Sequence, residues 1–181
     1  MDLFLKGVID MQQILETERL ILRELVRSDL AALSAIIQDE ETMIAYNEAM
    51  SDGETLTWLE KQITRYRQDG FGLWAVILKE NMQMIGQCGI TLQPVEDNVV
   101  TEIGYLFNRS YWHNGYAVEA AKACRDYAFQ RLGIKEVYSI VRDINISSMN
   151  VAIRNGMVIR KRFIKTYRGE DMPHFLFSVR Q

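Results

Sequence analysis

The sequence predicts a mixed α/β domain in which crossover helices interrupt a mostly antiparallel sheet, and three observations carry that reading. Short segments of alternating apolar and polar residues recur along the chain, as half-buried strands require. From Gly115 to Leu132 the period lengthens to that of a helix, between segments that read as strands. The composition suits one compact core: 181 residues, 48% hydrophobic, 25% charged and only two prolines.

Each element has its own signal. Ile14 to Leu25 ends in alternation and reads as one strand. Asp29 is placed to cap a helix through Gln38, and Gly53 to Gln68 reads as a second helix. Between them, Asp39 to Asp52 shows no clear period and carries Tyr46, Asn47 and Glu48. Leu73–Leu78, Met84–Leu92 and Val99–Phe107 read as three strands, with Asn81 and Asp97-Asn98 near the turns. In the long helix, Glu119, Lys122, Asp126 and Gln130 form a polar face. Val118, Ala121, Cys124, Ala128 and Leu132 fill the apolar one, and Gly133 is placed to end the helix. Val137–Arg142 is then a strand, Ile146–Asn155 a short helix, and Met157–Tyr167 and His174–Val179 two last strands.

Composition excludes several classes. The net charge of −3 argues against an extended nucleic-acid footprint, and the run Arg160, Lys161, Arg162 and Lys165 reads as a solvated strand face. Cys88 and Cys124 sit in apolar stretches, which favours a reduced compartment over a disulfide scaffold. His113 and His174 lack metal-ligand spacing, so no metal is expected. No apolar run approaches a membrane span, and the start is too short and charged for a signal peptide. A cytoplasmic protein is expected, with residues 1–13 as an N-terminal extension and 14–181 as a single domain.

The informative segment runs from Phe107 through Trp112-His113-Asn114-Gly115-Tyr116-Ala117 into Val118-Glu119-Ala120. A strand ends, a loop follows, and a helix opens at a glycine. The first turn of a helix carries unpaired N–H groups and partial positive charge, a ready site for phosphate if side chains leave it clear. Gly115 and Ala117 supply that clearance. The segment resembles motif A of the GNAT N-acetyltransferase superfamily, Gln/Arg-x-x-Gly-x-Gly/Ala, with Val118-Glu119-Ala120 similar to the ribosomal-protein N-acetyltransferase branch. Trp112 stands at the Gln/Arg position, so less fixed charge lies near the pyrophosphate and backbone donors must supply more of the binding. Downstream, Asn145-Ile-Ser-Ser148-Met-Asn150 through Gly156-Met157 is similar to motif B. Asn145 carries both a donor and an acceptor for the amides of a pantetheine arm, and either Asn145 or Ser148 can also cap the helix.

The resemblance covers roughly residues 14–180 and implies a seven-stranded, mostly antiparallel sheet flanked by about four helices. It implies acetyl-CoA as cosubstrate, a primary amine as acceptor (a protein N-terminus or a small amine), and direct attack in a ternary complex. Cofactor contacts are expected from Leu106, Phe107, Asn108, His113, Asn114, Gly115, Tyr116, Ala117, Val118, Asn145 and Ser148. They follow from two parallel strands, Val99–Phe107 and Val137–Arg142, that splay to admit the cofactor.

Acetyl transfer needs a base for an amine that arrives protonated, with a pKa near ~10.4 if it resembles lysine. It also needs an acid for the leaving thiolate. Alternation places Glu102, Gly104 and Leu106 on one strand face, and a carboxylate within an apolar strand is costly without a reason. Glu102 resembles the glutamate with which family members deprotonate the acceptor, often through water. The tyrosine that many relatives use as acid falls here at Ala152, which leaves Ser148 as the substitute and Tyr105 and Tyr116 as alternatives. For the acceptor, the candidate lining is the Asp39–Asp52 loop, Trp74, and Tyr167, Asp171 and His174 of the terminal hairpin, where Gly169 and Pro173 mark a turn. Glu48 and Asp171 would suit a cationic amine. A catalytically silent acyl-CoA binder of the same fold is the alternative function, and either a monomer or a homodimer is expected. No Gly-x-Gly-x-x-Gly or P-loop pattern is present to support a nucleotide-binding reading.

Overall fold

The computed structural model describes residues 13–181, so the expected extension lies outside the described residues up to Gln13. The elements are β1 (Gln13–Glu16), β2 (Leu20–Arg23), α1 (Leu30–Ile37), α2 (Asp52–Gln68), β3 (Leu73–Leu78), β4 (Gln83–Val95) and β5 (Asn98–Phe107). There follow α3 (Tyr116–Gln130), β6 (Glu136–Arg142), α4 (Ile146–Arg154), β7 (Val158–Tyr167) and β8 (Glu170–Arg180). One eight-stranded sheet runs in the order β1-β2-β3-β4-β5-β6-β8-β7. Only β5 and β6 pair in parallel among the described strands, joined through α3.

The count is eight and not seven because Ile14–Leu25 folds back on itself. Thr17 N–H donates to the Leu20 carbonyl at 2.9 Å, and the Thr17 hydroxyl oxygen accepts from Leu20 N–H at 3.0 Å. That tight turn makes β1 and β2 antiparallel neighbours. The second difference is at the C-terminus. Arg168 and Gly169, with φ of 52° and 80°, form a two-residue hairpin turn, so β8 begins at Glu170 and Pro173 lies inside it. Proline is tolerated there because β6 ends opposite His174, leaving position 173 without a β6 partner.

Strand alternation divides the core between the two sheet faces. Leu20, Leu22, Trp74, Val76 and Leu78 face α3, where Ala120, Ala121, Cys124 and Ala128 pack on them. Ala75 and Ile77 face α1 and α2, and meet Leu33, Ile36, Ile37 and Leu59. Each fully buried leucine or isoleucine contributes about 1.5–3 kcal/mol. α2 is pinned at its start by a capping box: Ser51 N–H donates to the Glu54 carboxylate at 2.8 Å, and Glu54 N–H donates back to Ser51 Oγ. Among the described residues, no helix is long and apolar enough to cross a membrane.

The feature that positions the site is the β5–β6 pair. Its register is held at Glu102 opposite Tyr138, and Ser139 Oγ donates to the Ile103 carbonyl at 2.8 Å. Past that pair β5 and β6 form no further register pair, and cavities open between them.

Candidate active site

Two cavities meet where β5 and β6 part. A cleft of about 570 Å³ lies between the end of β5, the start of α3, and α4. A second cavity, about 130 Å³, lies on the α2 side of the sheet and contains Glu102. Tyr105, Leu106, Asn145 and Ser148 line both, so these four residues form the junction.

One wall of the cleft is shaped by backbone geometry. The chain turns left-handed at His113 (φ 63°) and again at Gly115 (φ 80°) before α3 begins. The first helical hydrogen bond is Glu119 N–H to the Gly115 carbonyl, at 3.0 Å, so the N–H groups of Tyr116, Ala117 and Val118 have no partner inside the helix. These three residues line the cleft together with Phe107, His113 and Gly115. A Cβ on Gly115 would meet Arg19 Nη2 at an ordinary 3.6 Å, so within the described protein it is the φ of 80° that calls for glycine. Asn108 and Asn114 do not line the cleft. Asn108 Oδ1 accepts from Ser110 N–H at 2.9 Å, and the Asn114 amide donates to the Trp112 carbonyl at 2.9 Å; both shape the loop.

One interaction here was invisible in sequence. Glu119, on the expected polar face of α3, accepts from the Thr17 hydroxyl at 2.6 Å, Arg19 N–H at 3.0 Å and Arg19 Nε at 2.7 Å. The Arg19 guanidinium also donates to the Asn114 carbonyl at 3.0 Å and lies 4.5 Å from the centroid of the Tyr116 ring. The β1–β2 turn therefore clamps the loop that opens α3. Burial raises the Glu119 pKa, but the Thr17 and Arg19 hydrogen bonds outweigh it, and the net shift is downward. No local pattern reveals this, because the partners lie about a hundred residues apart.

Across the cleft, Asn145 Oδ1 accepts from Ser148 N–H at 3.0 Å and caps α4. Asn145 thus combines the capping and lining roles that its residue type allows. Tyr105 spans the junction, its hydroxyl donating to the Ser148 carbonyl at 2.7 Å, and burial pushes that hydroxyl's pKa far up.

Glu102 sits at the base of the second cavity, half-buried, and accepts from the Thr91 hydroxyl at 3.0 Å. Burial raises its pKa. Lys165, the Thr91 hydrogen bond, the Ile140 backbone and Arg65 oppose that without reversing it. Its neighbours include Tyr46, Tyr167 and His174, all from segments expected to shape the acceptor site. Other expectations fail here. Trp74 is 1% exposed and packs edge-on to Tyr127 at 5.5 Å on the opposite sheet face. Glu48 pairs with Arg168, and Asp171 accepts from the Thr166 hydroxyl at 2.7 Å; neither lines the cavity. The basic run also divides. Arg160 donates to Ser178, Lys161 and Arg162 pair with Glu96 and Asp143, and Lys165 turns into the cavity.

Comparison with known proteins agrees with this architecture. The family described as "Acetyltransferase (GNAT) domain" matches residues 19–158. YkkB of Bacillus subtilis (strain 168), an uncharacterized protein, is 33% identical over 160 residues, covering 88% of this chain and 91% of its own. The crystal structure of an acetyltransferase from Agrobacterium tumefaciens str. C58 superimposes with a TM-score of 0.77 at 28% identity, covering 92% of this chain and 94% of that one. A ribosomal-protein-S5-alanine acetyltransferase from Vibrio fischeri shares the fold at 17% identity, with a TM-score of 0.72 and coverage of 92% and 95%. With a match across most of its length, and with the parted strands and helix-start loop that the motifs required, the chain belongs to the GNAT acetyltransferase family.

Proposed function

We propose that residues 14–181 act as one catalytic domain that moves an acetyl group from acetyl-CoA to a primary amine by direct attack. The observation that carries this reading is the meeting of the two cavities at Tyr105, Leu106, Asn145 and Ser148. The cleft fits CoA in kind. Three unpartnered N–H groups open α3 beside a wide, largely apolar passage, and that combination suits a diphosphate followed by a pantetheine arm. When bound, acetyl-CoA supplies a thioester carbonyl to the amine.

The chain's own groups do the rest. His113, Gly115, Tyr116, Ala117 and Val118 bind the diphosphate end, while Leu106, Phe107 and Asn145 direct the arm toward the junction. Glu102 takes the proton of the acceptor ammonium, directly or through water, and Thr91 orients its carboxylate. The raised pKa suits that task, bringing the base closer to neutral pH than a free carboxylate. Ser148 Oγ, on the first turn of α4, passes a proton to the leaving sulfur while it takes one from the nitrogen of the tetrahedral intermediate, so no alkoxide is left. Tyr105 holds α4 at its distance from β5 and is a positioning residue in this scheme.

Calorimetry with CoA, paired with thiol release from acetyl-CoA in the presence of candidate amines, tests the reading. CoA binding together with amine-dependent thiol release is expected. Absence of heat with both CoA and acetyl-CoA would remove the assignment, and binding without release by any amine would favour a silent binder.

A further inference from the structure

The acceptor cavity carries more positive charge than its chemistry requires. Arg65 from α2, Arg142 from the end of β6 and Lys165 from β7 all line it, and Glu102 is the one carboxylate lining it among the described residues. These cations come from three separate elements in a chain whose net charge is −3, so the concentration is local. None of the three has an ion-pair partner among the described residues, whereas the nearby Arg168 is matched by both Glu48 and Glu54.

Their hydrogen bonds are to neutral groups. Arg65 Nη1 donates to Gln62 Oε1 at 3.2 Å, Arg142 Nη1 donates to the Ile44 carbonyl at 2.7 Å and to Asn47, and Arg142 Nε is buried with no partner among the described residues. The cations also act on one another's surroundings. Partial burial, then Arg65 and Lys165, hold Lys61 below its usual range. Burial, with Lys165 and Arg142, lowers His174, against a raising hydrogen bond from the Met172 backbone and the charge of Asp143. Like charges gathered around a cavity repel unless something negative joins them.

We infer that the acceptor amine itself carries an anionic group, a carboxylate or a phosphate, which Arg65, Arg142 and Lys165 hold while its amine faces Glu102. The inference rests on the reading of this cavity as the acceptor site. The planar guanidinium fork of arginine matches the oxygen spacing of carboxylate and phosphate alike. A polyamine would meet three cations with only one carboxylate, and is disfavoured for that reason.

Matched amines decide it: β-alanine against propylamine, O-phosphoethanolamine against ethanolamine, and spermine as the polycation. Thiol release from acetyl-CoA gives turnover, and titration of the same amines into CoA-saturated protein gives binding. At least one anionic amine should exceed its neutral partner by about tenfold or more in kcat/KM, the size of a charge-assisted hydrogen bond. Which pair shows the gain tells carboxylate from phosphate. Arg65→Gln and Lys165→Gln, on separate elements and checked by thermal melts, should each erode that gain, raising KM more than they lower kcat. Neutral amines or spermine performing as well as the anionic ones, or no binding of either anionic amine, would overturn the inference while leaving acetyl transfer intact. Anion binding that both variants weaken, with no turnover of any amine, would support the anion site and remove acetyl transfer.

Discussion

The cleft and the acceptor cavity share four residues and are made in opposite ways. The helix-start wall of the cleft depends on backbone: two left-handed residues, three N–H groups without a partner in the helix and a strand end, all between Phe107 and Val118. The second cavity depends on side chains delivered by the Asp39–Asp52 loop, α2, and strands β3 to β8, from Ala45 to His174. A backbone site needs a particular local conformation, which few sequences adopt, and it leaves a motif. A side-chain site needs only that distant residues converge, and it leaves none. On the proposed function, the diphosphate end of cofactor recognition is written locally in this protein, whereas acceptor recognition is written in the tertiary arrangement.

The contrast can be broken by substitution on each side. The largest effect is expected from Glu102→Gln, which should lower kcat/KM for an amine by about a hundredfold while CoA affinity measured by calorimetry stays put. A loss smaller than about threefold would end the role of Glu102 as base. Next comes the backbone site. Gly115→Val forces a β-branched residue to φ 80°, a strain of about 1–3 kcal/mol. CoA affinity should fall by roughly ten- to a hundredfold. Gly115→Asn sharpens the point, because asparagine tolerates the left-handed region. Near-normal affinity in Asn and loss in Val mark a conformational requirement, and equal loss in both would mark a steric one.

A smaller effect is expected from Arg19→Met, which releases the loop from the β1–β2 turn. The pair with Glu119 is partly exposed, so a destabilisation of about 1 kcal/mol is reasonable. Glu119 is held below its usual range, and that contribution to stability is present above the ordinary carboxylate pKa. It is lost as pH falls through the depressed value. The melting-temperature gap between wild type and Arg19→Met should therefore close in acid, and a gap that persists there would mean the guanidinium acts through packing instead.

The smallest effect has the opposite sign. Glu102 is raised, so its folded form favours the proton, and its contribution declines as pH climbs above the ordinary carboxylate value. Glu102→Gln should melt at least as high as wild type at neutral pH, with any advantage vanishing below pH ~4, where both states of the wild-type side chain are protonated. A Glu102→Gln protein less stable at neutral pH would show that Glu102 is a structural partner.

Local periodicity located all four helices and most strands, because alternation and the 3.6-residue repeat are properties of neighbouring residues. It missed the break at Thr17, where a side-chain hydrogen bond turns the chain inside one apolar run. It also read Pro173 as part of a turn, since the strand order that makes a proline harmless there is not a local property. Residue type and spacing singled out the Phe107–Val118 stretch and the Asn145-to-Ser148 segment, and the structure brings residues of both to one cleft, with Asn108 and Asn114 shaping the loop instead. Trp74 was misplaced because an aromatic on a strand can face either side, and here it faces α3.

By itself, the sequence determined the element types, the glycine-led helix start, the capping asparagine and the unusual carboxylate in β5. Each is set by interactions within a few residues. Only the tertiary structure decided that β5 and β6 part beyond Glu102, that Arg19 clamps Glu119, and that Lys165 leaves its basic run to join Arg65 and Arg142. Those outcomes depend on the packing of segments up to a hundred residues apart, where no neighbouring residue carries a trace of the partner.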